Sequence, residues 1–202
     1  MSGTEGYADE AEALIKQYES ISFADVHAQV LHLIPSAPAR ILDIGAGTGR
    51  DAAGFVTLGH HVVAVERTAA LRTRAMALHP SPRIDWLDDS LPDLARVTAR
   101  GVLFDVLMMT AVWMHLDQRQ RQLAMPIVAS LVNPGGVMIM SLRYGPVPKG
   151  RRMFTVPVDE TIALAAGQGL RVILKSEAVA GVQRRPGISW SRLAFRKIGG
   201  PS

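Results

Sequence analysis

The sequence contains no cysteine, only 5% aromatic residues and no long hydrophobic run. The absence of cysteine excludes disulfide bonds, thiolate zinc sites and catalysis by a cysteine nucleophile. No apolar run approaches the roughly 20 residues that a helix needs to cross a bilayer. Residues 1–12 are acidic and polar, whereas a signal sequence is basic and then apolar. We therefore expect a cytoplasmic protein that does not contact membranes.

Metal-binding motifs are also missing from the sequence. It has no HExxH motif and no pair of histidine ligands at metal-binding spacing. The acids Asp88, Asp89 and Asp117 are separated and do not form a dedicated carboxylate trio. We predict that the protein binds no metal.

Residues 41–50, ILDIGAGTGR, join a short apolar run to an acid and three alternate glycines. The apolar residues suit a buried parallel strand, and glycines at its end let the backbone turn sharply and approach a ligand. A dinucleotide-binding fold would show GxGxxG, but here the third glycine comes one residue early and gives GxGxG. The segment predicts a nucleotide-cofactor loop and argues against NAD.

A second strand-like run, HVVAV at His61–Val65, ends directly before Glu66. In an open parallel sheet the ligand lies beyond the carboxyl ends of the strands, where a carboxylate can accept hydrogen bonds from both hydroxyls of a ribose. The alternative is a surface acid that merely ends a strand. The interval after the glycine segment favours the ribose role for Glu66.

These two segments resemble the cofactor motifs of the class I S-adenosylmethionine (SAM) dependent methyltransferases. In that family a D-x-G-x-G-x-G loop follows the first strand and an acid follows the second. The resemblance covers residues 41–143, through WLDDSLP after the third strand and FDVLMMTAVWMHL around the fourth. It implies SAM as the cofactor and S-adenosylhomocysteine (SAH) as its product. The cofactor-binding residues that it implies are Asp43, Gly45, Ala46, Gly47, Gly49, Glu66, Arg67, Asp88, Asp89, Ser90 and Thr110.

Two details of the resemblance concern the adenine contact and the class of acceptor. Asp88 and Asp89 are alternatives for the contact with adenine, because the doubled aspartate leaves the alignment open by one residue. The element (D/N)PP(Y/F), which marks amino methylation of nucleic-acid bases, is replaced by MTAV at residues 109–112. This replacement argues against a base-flipping amino methyltransferase.

Alternating strand and helix patterns predict an α/β fold. The predicted strands are 41–45, 61–66, 83–87, 102–109 and 136–141, and the helices between them are 50–58, 68–78, 93–99 and 118–131. Asn133 to Gly136 predict a turn, residues 158–168 a helix, and residues 171–179 and 189–198 a hairpin. The resemblance implies a doubly wound, mostly parallel, Rossmann-like sheet of seven strands with a C-terminal antiparallel hairpin.

The length of 202 residues predicts one domain, residues 1–202. Helices predicted at 5–18 and 23–33 would form an N-terminal helical lid within residues 1–36. Residues 37–145 are the predicted cofactor-binding half, and residues 146–198 are the predicted substrate-side half.

Charge is distributed unevenly, because residues 143–202 carry 11 Lys and Arg against 3 Asp and Glu in a chain of net charge +4. Such a basic segment can be a solvated surface, or it can bind an anionic metabolite or the phosphates of RNA. Arg143, after the fifth strand, is a candidate clamp for a carboxylate. The other candidate substrate contacts are Tyr18, Trp113 and Tyr144.

His115 is the candidate general base, because it follows the fourth strand and histidine titrates near neutral pH. Capping of the next helix, or exposure to solvent, is the alternative for this residue. The leading hypothesis is a SAM-dependent methyltransferase that modifies an O or N atom of a small anionic metabolite. The alternatives are an RNA methyltransferase that uses the basic C-terminal face and a non-catalytic SAM-binding regulatory protein. The sequence leaves the oligomeric state open.

Overall fold

An eight-stranded sheet organises the chain in the computed structural model, which describes residues 11–183 and 185–199. The strand order is β3-β2-β1-β4-β5-β8-β6, and β7 pairs with β8 beside this path. The strands are β1 (Arg40–Ile44), β2 (His61–Val65), β3 (Ile84–Leu87), β4 (Phe104–Met109), β5 (Val132–Tyr144), β6 (Leu170–Lys175), β7 (Val179–Ala180) and β8 (Ser189–Lys197).

The strand directions confirm the predicted doubly wound sheet. The first five strands pair in parallel. β8 is inserted antiparallel between β5 and β6, so the predicted C-terminal hairpin is present. The sheet has one strand more than the predicted seven, because the two-residue β7 pairs with β8.

Seven α-helices and two 3₁₀ turns connect the strands within the described residues. The helices are α1 (Ala11–Glu19), α2 (Phe23–His27), α3 (Arg50–Thr57), α4 (Ala69–Leu78), α5 (Ala95–Thr98), α6 (Gln118–Ser130) and α7 (Val158–Ala166), and the 3₁₀ turns are Leu31–Leu33 and Trp113–His115. Residues 5–10 of the first predicted helix lie outside the described residues. No helix in the described part of the chain is both long and apolar enough to cross a membrane.

The continuous helix predicted at 23–33 is wrong. α2 ends at His27, and a separate 3₁₀ turn follows at Leu31–Leu33. Phe23 packs on Phe55 of α3 with ring centroids 5.0 Å apart, and His27 bonds to Asp51 of the same helix. Because a short helix depends on packing more than on propensity, α2 does not extend past its contacts with α3.

The turn predicted at Asn133–Gly136 lies inside β5 as an irregularity. The pairing of β5 with β4 jumps from Phe104↔Val132 to Val106↔Val137. Gly135 has a φ of +79°, which side chains other than glycine rarely adopt. The chain therefore turns here and rejoins the sheet in a shifted register.

Alternate residues of the central strands pack into two separate cores. Leu42 of β1 belongs to the core that contains α6, whereas its neighbour Ile41 belongs to the core that contains α3. Because successive side chains of a strand point to opposite faces, helices cover both sides of the sheet. The carboxyl ends of β1, β2 and β4 then meet at one edge, where the cavity described next is found.

Candidate cofactor and substrate cavity

A cavity of about 380 Å³ opens at the carboxyl ends of β1, β2 and β4. It brings together twelve sequence-predicted residues: Tyr18, Asp43, Gly45, Ala46, Gly47, Glu66, Arg67, Asp89, Ser90, Thr110, His115 and Arg143. Four others, Gly49, Asp88, Trp113 and Tyr144, are not among the residues that line it. Most of the site residues predicted from the sequence thus lie around one cavity, and the four that do not are described separately below.

The glycine loop turns directly after β1. Gly45 and Gly47 have φ values of +73° and +57°, which glycine adopts without strain. The N–H groups of Gly45 and Ala46 both donate to the Val65 carbonyl oxygen, at 2.8 and 2.9 Å. A Cβ on Gly45 would come within 2.5 Å of Val112 Cγ2, so only glycine fits this turn.

Glu66 is tied to the glycine loop. Its Oε2 accepts from the N–H of Gly47 at 2.9 Å, and its Oε1 accepts from the N–H of Thr68 at 2.6 Å. Burial raises the pKa of Glu66, and these two hydrogen bonds oppose that shift. The carboxylate is thereby fixed in place with lone pairs left to accept hydroxyl groups of a ligand.

Asp43 is the least satisfied carboxylate of the cavity. It is buried at 1% exposure, and its Oδ2 has no hydrogen-bond partner among the described residues. Burial first and the charge of Asp51 second raise the pKa of Asp43 well above its ordinary value. Glu66 adds to this repulsion, so the site concentrates negative charge beside the glycine loop.

Asp51 was not predicted from the sequence, although it lines the cavity. Its Oδ2 lies 2.8 Å from Nε2 of His27, and its Oδ1 accepts from Nε of Arg50 at 2.8 Å. Burial would raise the pKa of Asp51, but His27 and Arg50 outweigh burial and lower it. Only the fold brings His27 to this carboxylate, so local spacing carried no signal for the pair.

The two candidate adenine contacts separate in the structure. Asp89 lines the cavity, and its carboxylate accepts from the backbone N–H groups of Ser90, Arg96 and Val97 at 2.8, 2.8 and 3.0 Å. Asp88 instead pairs with Nη2 of Arg72 at 3.2 Å. Its side chain is 48% exposed, and it does not line the cavity.

The segment after β4 forms the next part of the wall. Thr110 lines the cavity, and its Oγ1 is buried without a hydrogen-bond partner among the described residues. Ala111 has a φ of +60°, a strained value for alanine, and its N–H donates to Oγ of Ser141 at 2.9 Å. Strained backbone held by a neighbouring strand is typical of a binding site.

His115 lies on the same segment. It is 9% exposed, and its Nδ1 lies 2.8 Å from the carbonyl oxygen of Arg152. Because a carbonyl oxygen only accepts, this contact places the proton on Nδ1 and the lone pair of the neutral ring on Nε2. The Arg152 side chain is itself held by Asp117 at 3.0 Å.

The three remaining predicted residues lie outside the cavity lining. Trp113 is completely buried in the core that contains α6, because its 3₁₀ turn directs it inward. Tyr144 lies in a separate shallow depression beside Lys175. Gly49, with a φ of +84°, begins α3, and a Cβ there would lie 3.0 Å from Trp86.

Four arginines from the C-terminal part of the chain line the cavity. Arg143 is at the end of β5, Arg192 is on β8, and Arg151 and Arg185 come from the flanking loops. Arg143 donates through Nη2 to the carbonyl oxygen of Pro146 at 2.7 Å. Only Arg143 was predicted as a contact, because the others converge through strand pairing and loop packing.

The residues present fit SAM, which carries a positively charged sulfonium. The unpartnered Oδ2 of Asp43 and the neighbouring carboxylates of Asp51 and Glu66 suit a cationic group. The turn at Gly45 lets backbone approach a ligand where a side chain would collide with the chain. Within the described residues, no cluster of His, Asp and Glu could hold a metal ion.

Comparison with known proteins agrees with this geometry. A family model described as a methyltransferase domain matches residues 41–136. A search of curated proteins gives no match. A SAM-dependent methyltransferase from Methanosarcina mazei is similar in structure, with a TM-score of 0.70 and 13% identity over 87% of this chain and 100% of that one.

Two further structures similar to this chain contain ligands. The 1,6-didemethyltoxoflavin-N1-methyltransferase of Burkholderia thailandensis, with bound 1,6-didemethyltoxoflavin and SAH, has a TM-score of 0.66 and 20% identity over 94% of this chain and 89% of that one. The magnesium protoporphyrin IX methyltransferase of Synechocystis, with bound SAM, has a TM-score of 0.68 and 14% identity over 98% of this chain and 86% of that one. These likenesses concern the fold.

The family match and the sheet order both agree with the D-x-G-x-G-x-G motif at residues 43–49. The matched residues include β1, the glycine loop, Glu66 and the segment after β4. An antiparallel β8 between β5 and β6 completes the sheet that the family resemblance implied. Residues 41–136 match a methyltransferase domain, and the chain has the fold of the SAM-dependent methyltransferases.

Proposed function

We propose that this enzyme transfers the methyl group of SAM to an oxygen or nitrogen atom of a small, anionic metabolite. The observation that carries the proposal is that groups of both charges line one cavity. The carboxylates of Asp43, Asp51 and Glu66 lie around the glycine loop, and arginines of β5, β8 and the flanking loops line the same cavity. A cationic cofactor suits the carboxylates, and an anionic acceptor suits the arginines.

The cofactor would be held by the glycine loop and the acids around it. Gly45 and Gly47 let the backbone approach the ligand, and the carboxylate of Asp43 faces the cationic part. Glu66 would accept the ribose hydroxyls, because its geometry is fixed by Gly47 and Thr68. The adenine end is assigned to Asp89, with Arg67, Ser90 and Ala46 nearby in the lining. SAM supplies the electrophilic methyl group.

The protein has two tasks beyond binding the cofactor. It must align the acceptor atom with the methyl group and exclude water, which alone supplies a large part of the rate enhancement. It must also remove one proton when the acceptor is a hydroxyl or a protonated amine. Nε2 of His115 is the proposed acceptor of that proton, because the Arg152 carbonyl holds the opposite ring nitrogen.

A lid is the proposed role of the N-terminal helices. Leu14 and Tyr18 of α1 and Val26 of α2 line the cavity. Nη1 of Arg50 donates to the carbonyl oxygen of Tyr18 at 3.3 Å, which ties the end of α1 to the cofactor half. We assign residues 1–36 to this lid, residues 37–145 to the cofactor and residues 146–198 to the substrate side.

The convergence of four arginines on one cavity favours a small acceptor over RNA. Arg143, Arg151, Arg185 and Arg192 line the cavity, whereas a polymer would require a basic surface outside it. Two of the methyltransferases with a similar fold act on small molecules according to their names, which supports the same class of acceptor here.

Methyl-labelled SAM tests this proposal. The purified enzyme is incubated with a cell extract separated into metabolites, RNA and protein, and each fraction is counted for label. We expect label in small products that bind an anion exchanger and resist ribonuclease. Label in a ribonuclease-sensitive polymer would overturn the choice of acceptor, and tight cofactor binding without any labelled product would overturn catalysis.

A further inference from the structure

One face of the β5–β8 strand pair forms a continuous wall of the cavity. Ser141 of β5 is paired with Arg192 of β8, and Arg143 is paired with Trp190. Side chains two residues apart on a strand share a face, and directly paired residues are close neighbours. All four residues line the cavity. They therefore form one side-chain surface made of two adjacent rows.

Arg192 is the charged group of this wall that lacks a carboxylate. It is partly buried, and its Nη2 donates to the carbonyl oxygen of Val26 at 3.1 Å. Within residues 11–183 and 185–199 it forms no ion pair. The nearest influence of opposite charge, Asp51, has its oxygens engaged by His27 and Arg50.

The surroundings of Arg192 penalise its charge. Burial lowers the pKa of Arg192, and Asp51 only partly opposes this effect. A guanidinium withdrawn from water without a carboxylate beside it is unfavourable unless an anion completes its hydrogen bonds. Since Arg192 lines the cavity, the missing anion is expected from the ligand.

Trp190 supplies a flat apolar surface beside this charge. The guanidinium carbon of Arg192 lies 5.9 Å from the centroid of the Trp190 ring. Gly181 packs against the other edge of the indole, where a Cβ would lie 2.8 Å from both Cδ1 and Nε1. The indole is therefore fixed in position. Val26, Met153 and Ile188 extend the apolar lining around it.

We propose that Trp190 and Arg192 form a subsite for an acceptor that is a planar, conjugated carboxylic acid. The ring of the acceptor stacks against the indole, and its carboxylate takes a bidentate pair of hydrogen bonds from Arg192. A monoanion fits better than a phosphate dianion, because the carboxylates of Asp43, Asp51 and Glu66 line the same cavity. This inference rests on the proposed function and specifies its acceptor class.

Binding measurements on the full chain with saturating SAH test the subsite. The probes are para-hydroxybenzoate and quinoline carboxylate, the carboxamide of each, and hydroxycyclohexane carboxylate as the non-planar acid. We expect at least one planar acid to bind about 10-fold or more tightly than its carboxamide, because hydrogen bonds to charged groups contribute that much. The same acid should bind more tightly than the cyclohexane analogue.

Variants assign these preferences to residues. Arg192→Met should bring the acid-to-amide ratio close to one, and Arg192→Lys should keep part of it. Trp190→Leu should remove the preference for the planar ring, and Trp190→Phe should keep most of it. Arg196→Met, an exposed arginine on the same strand, is the matched control and should behave as wild type.

The outcomes separate the inference from the proposed function. If SAH binds but no planar acid is preferred to its amide, the subsite is refuted and the methyltransferase assignment stands. An unchanged acid preference in a folded Arg192→Met protein refutes the role of Arg192. If SAH itself does not bind, the proposed function fails before the subsite is considered.

Discussion

Asp43 is the residue at which cofactor binding and stability conflict most clearly. Its carboxylate is buried, its Oδ2 has no partner among the described residues, and burial followed by Asp51 raises its pKa well above the ordinary value. Ionised Asp43 is therefore unfavourable in the folded protein without a ligand. The α-ammonium group that SAM and SAH share offsets this penalty, which explains why an acid occupies so buried a position.

Asp43→Asn should stabilise the protein at neutral pH and weaken SAH binding. A carboxyl whose folded-state pKa is raised contributes less stability as pH rises through that pKa, and the loss begins above its unfolded value of about 4. Near pH 7 the variant should therefore unfold at a higher urea concentration, with a free energy of unfolding that is larger by on the order of 1 kcal/mol. Below about pH 4 the difference should disappear, because both proteins are then uncharged at this position.

Asp159→Asn is the control for this comparison, because that carboxylate is 89% exposed. It should leave both stability and SAH affinity nearly unchanged. Lower stability of Asp43→Asn at neutral pH would show that Asp43 is favourably ionised without a ligand, and binding and stability would then not conflict at this residue.

Gly45→Ala tests the shape of the glycine loop. Alanine at a φ of +73° is strained by about 1–3 kcal/mol, and its Cβ would also overlap Val112. SAH affinity should fall at least about 10-fold, since a loss of about 1.4 kcal/mol in binding free energy is enough for that change. Gly101→Ala, with a φ of +62° and no atom within 4 Å of the added Cβ, is the matched control. It should show the strain in urea unfolding but keep wild-type affinity for SAH.

At the scale of elements, the contact between α2 and α3 joins the proposed lid to the cofactor site. His27 contacts Asp51 across a sequence separation of 24 residues. Phe23 packs so closely on Gly54 that a Cβ at position 54 would overlap its ring. The lid is thus coupled to a carboxylate in the cavity lining by one buried hydrogen bond.

His27→Ala should destabilise the protein by roughly 1–3 kcal/mol, because it leaves a buried carboxylate short of a partner. The pKa of Asp51 is lowered in the folded state, so its contribution is complete above the unfolded pKa of about 4 and is lost as pH falls below it. Urea unfolding should therefore show the deficit at neutral pH and a smaller one in acid. His32→Ala, at an exposed histidine nearby, should have little effect; an equal loss there would refute the specific role of the pair.

Elements were predicted well where the signal is local. The glycine segment, the strand endings and the alternation of strands with helices lie in consecutive residues, so β1, β2, Gly45, Gly47 and Glu66 could be found from spacing. The break after α2 depends on tertiary packing, and the sequence prediction missed it. The turn at residues 133–136 was predicted, but its place inside β5 depends on pairing with β4 and was not.

The same difference between local sequence signals and tertiary packing explains which site residues were predicted and which were missed. Asp51 and Arg192 were missed because each gains its position from a distant partner, His27 in one case and the β5 strand in the other. Trp113 was proposed for the cavity wall because it neighbours His115 in sequence, yet the 3₁₀ turn directs it into the core. Neighbours in sequence share a segment but not always a face.

At the scale of the whole molecule, the uneven charge of the sequence becomes a polar cavity. Residues 143–202 carry 11 Lys and Arg against 3 Asp and Glu, and four of those arginines line the same cavity as the acids of the cofactor half. A cationic cofactor and the proposed anionic acceptor can therefore both meet groups of opposite charge in this one cavity.

Ligand binding should stabilise the whole domain. At about 100 times its Kd, SAH contributes roughly 2.7 kcal/mol, which for a domain of this size raises Tm by about 5–10 °C. NAD should give no shift, because GxGxG lacks the spacing of a dinucleotide loop. Thermal unfolding with each ligand checks this result, and a comparable shift with NAD would contradict the assignment of the cofactor.

The central claim is that one cavity holds SAM at the glycine loop beside an arginine wall that receives the acceptor. A crystal structure of the enzyme with SAH tests it most directly. We predict the ribose hydroxyls on Glu66, the homocysteine part beside Asp43 and Gly45, and open space next to Arg192 and Trp190. SAH bound elsewhere, or lying across Arg192 so that no acceptor fits, would contradict the claim.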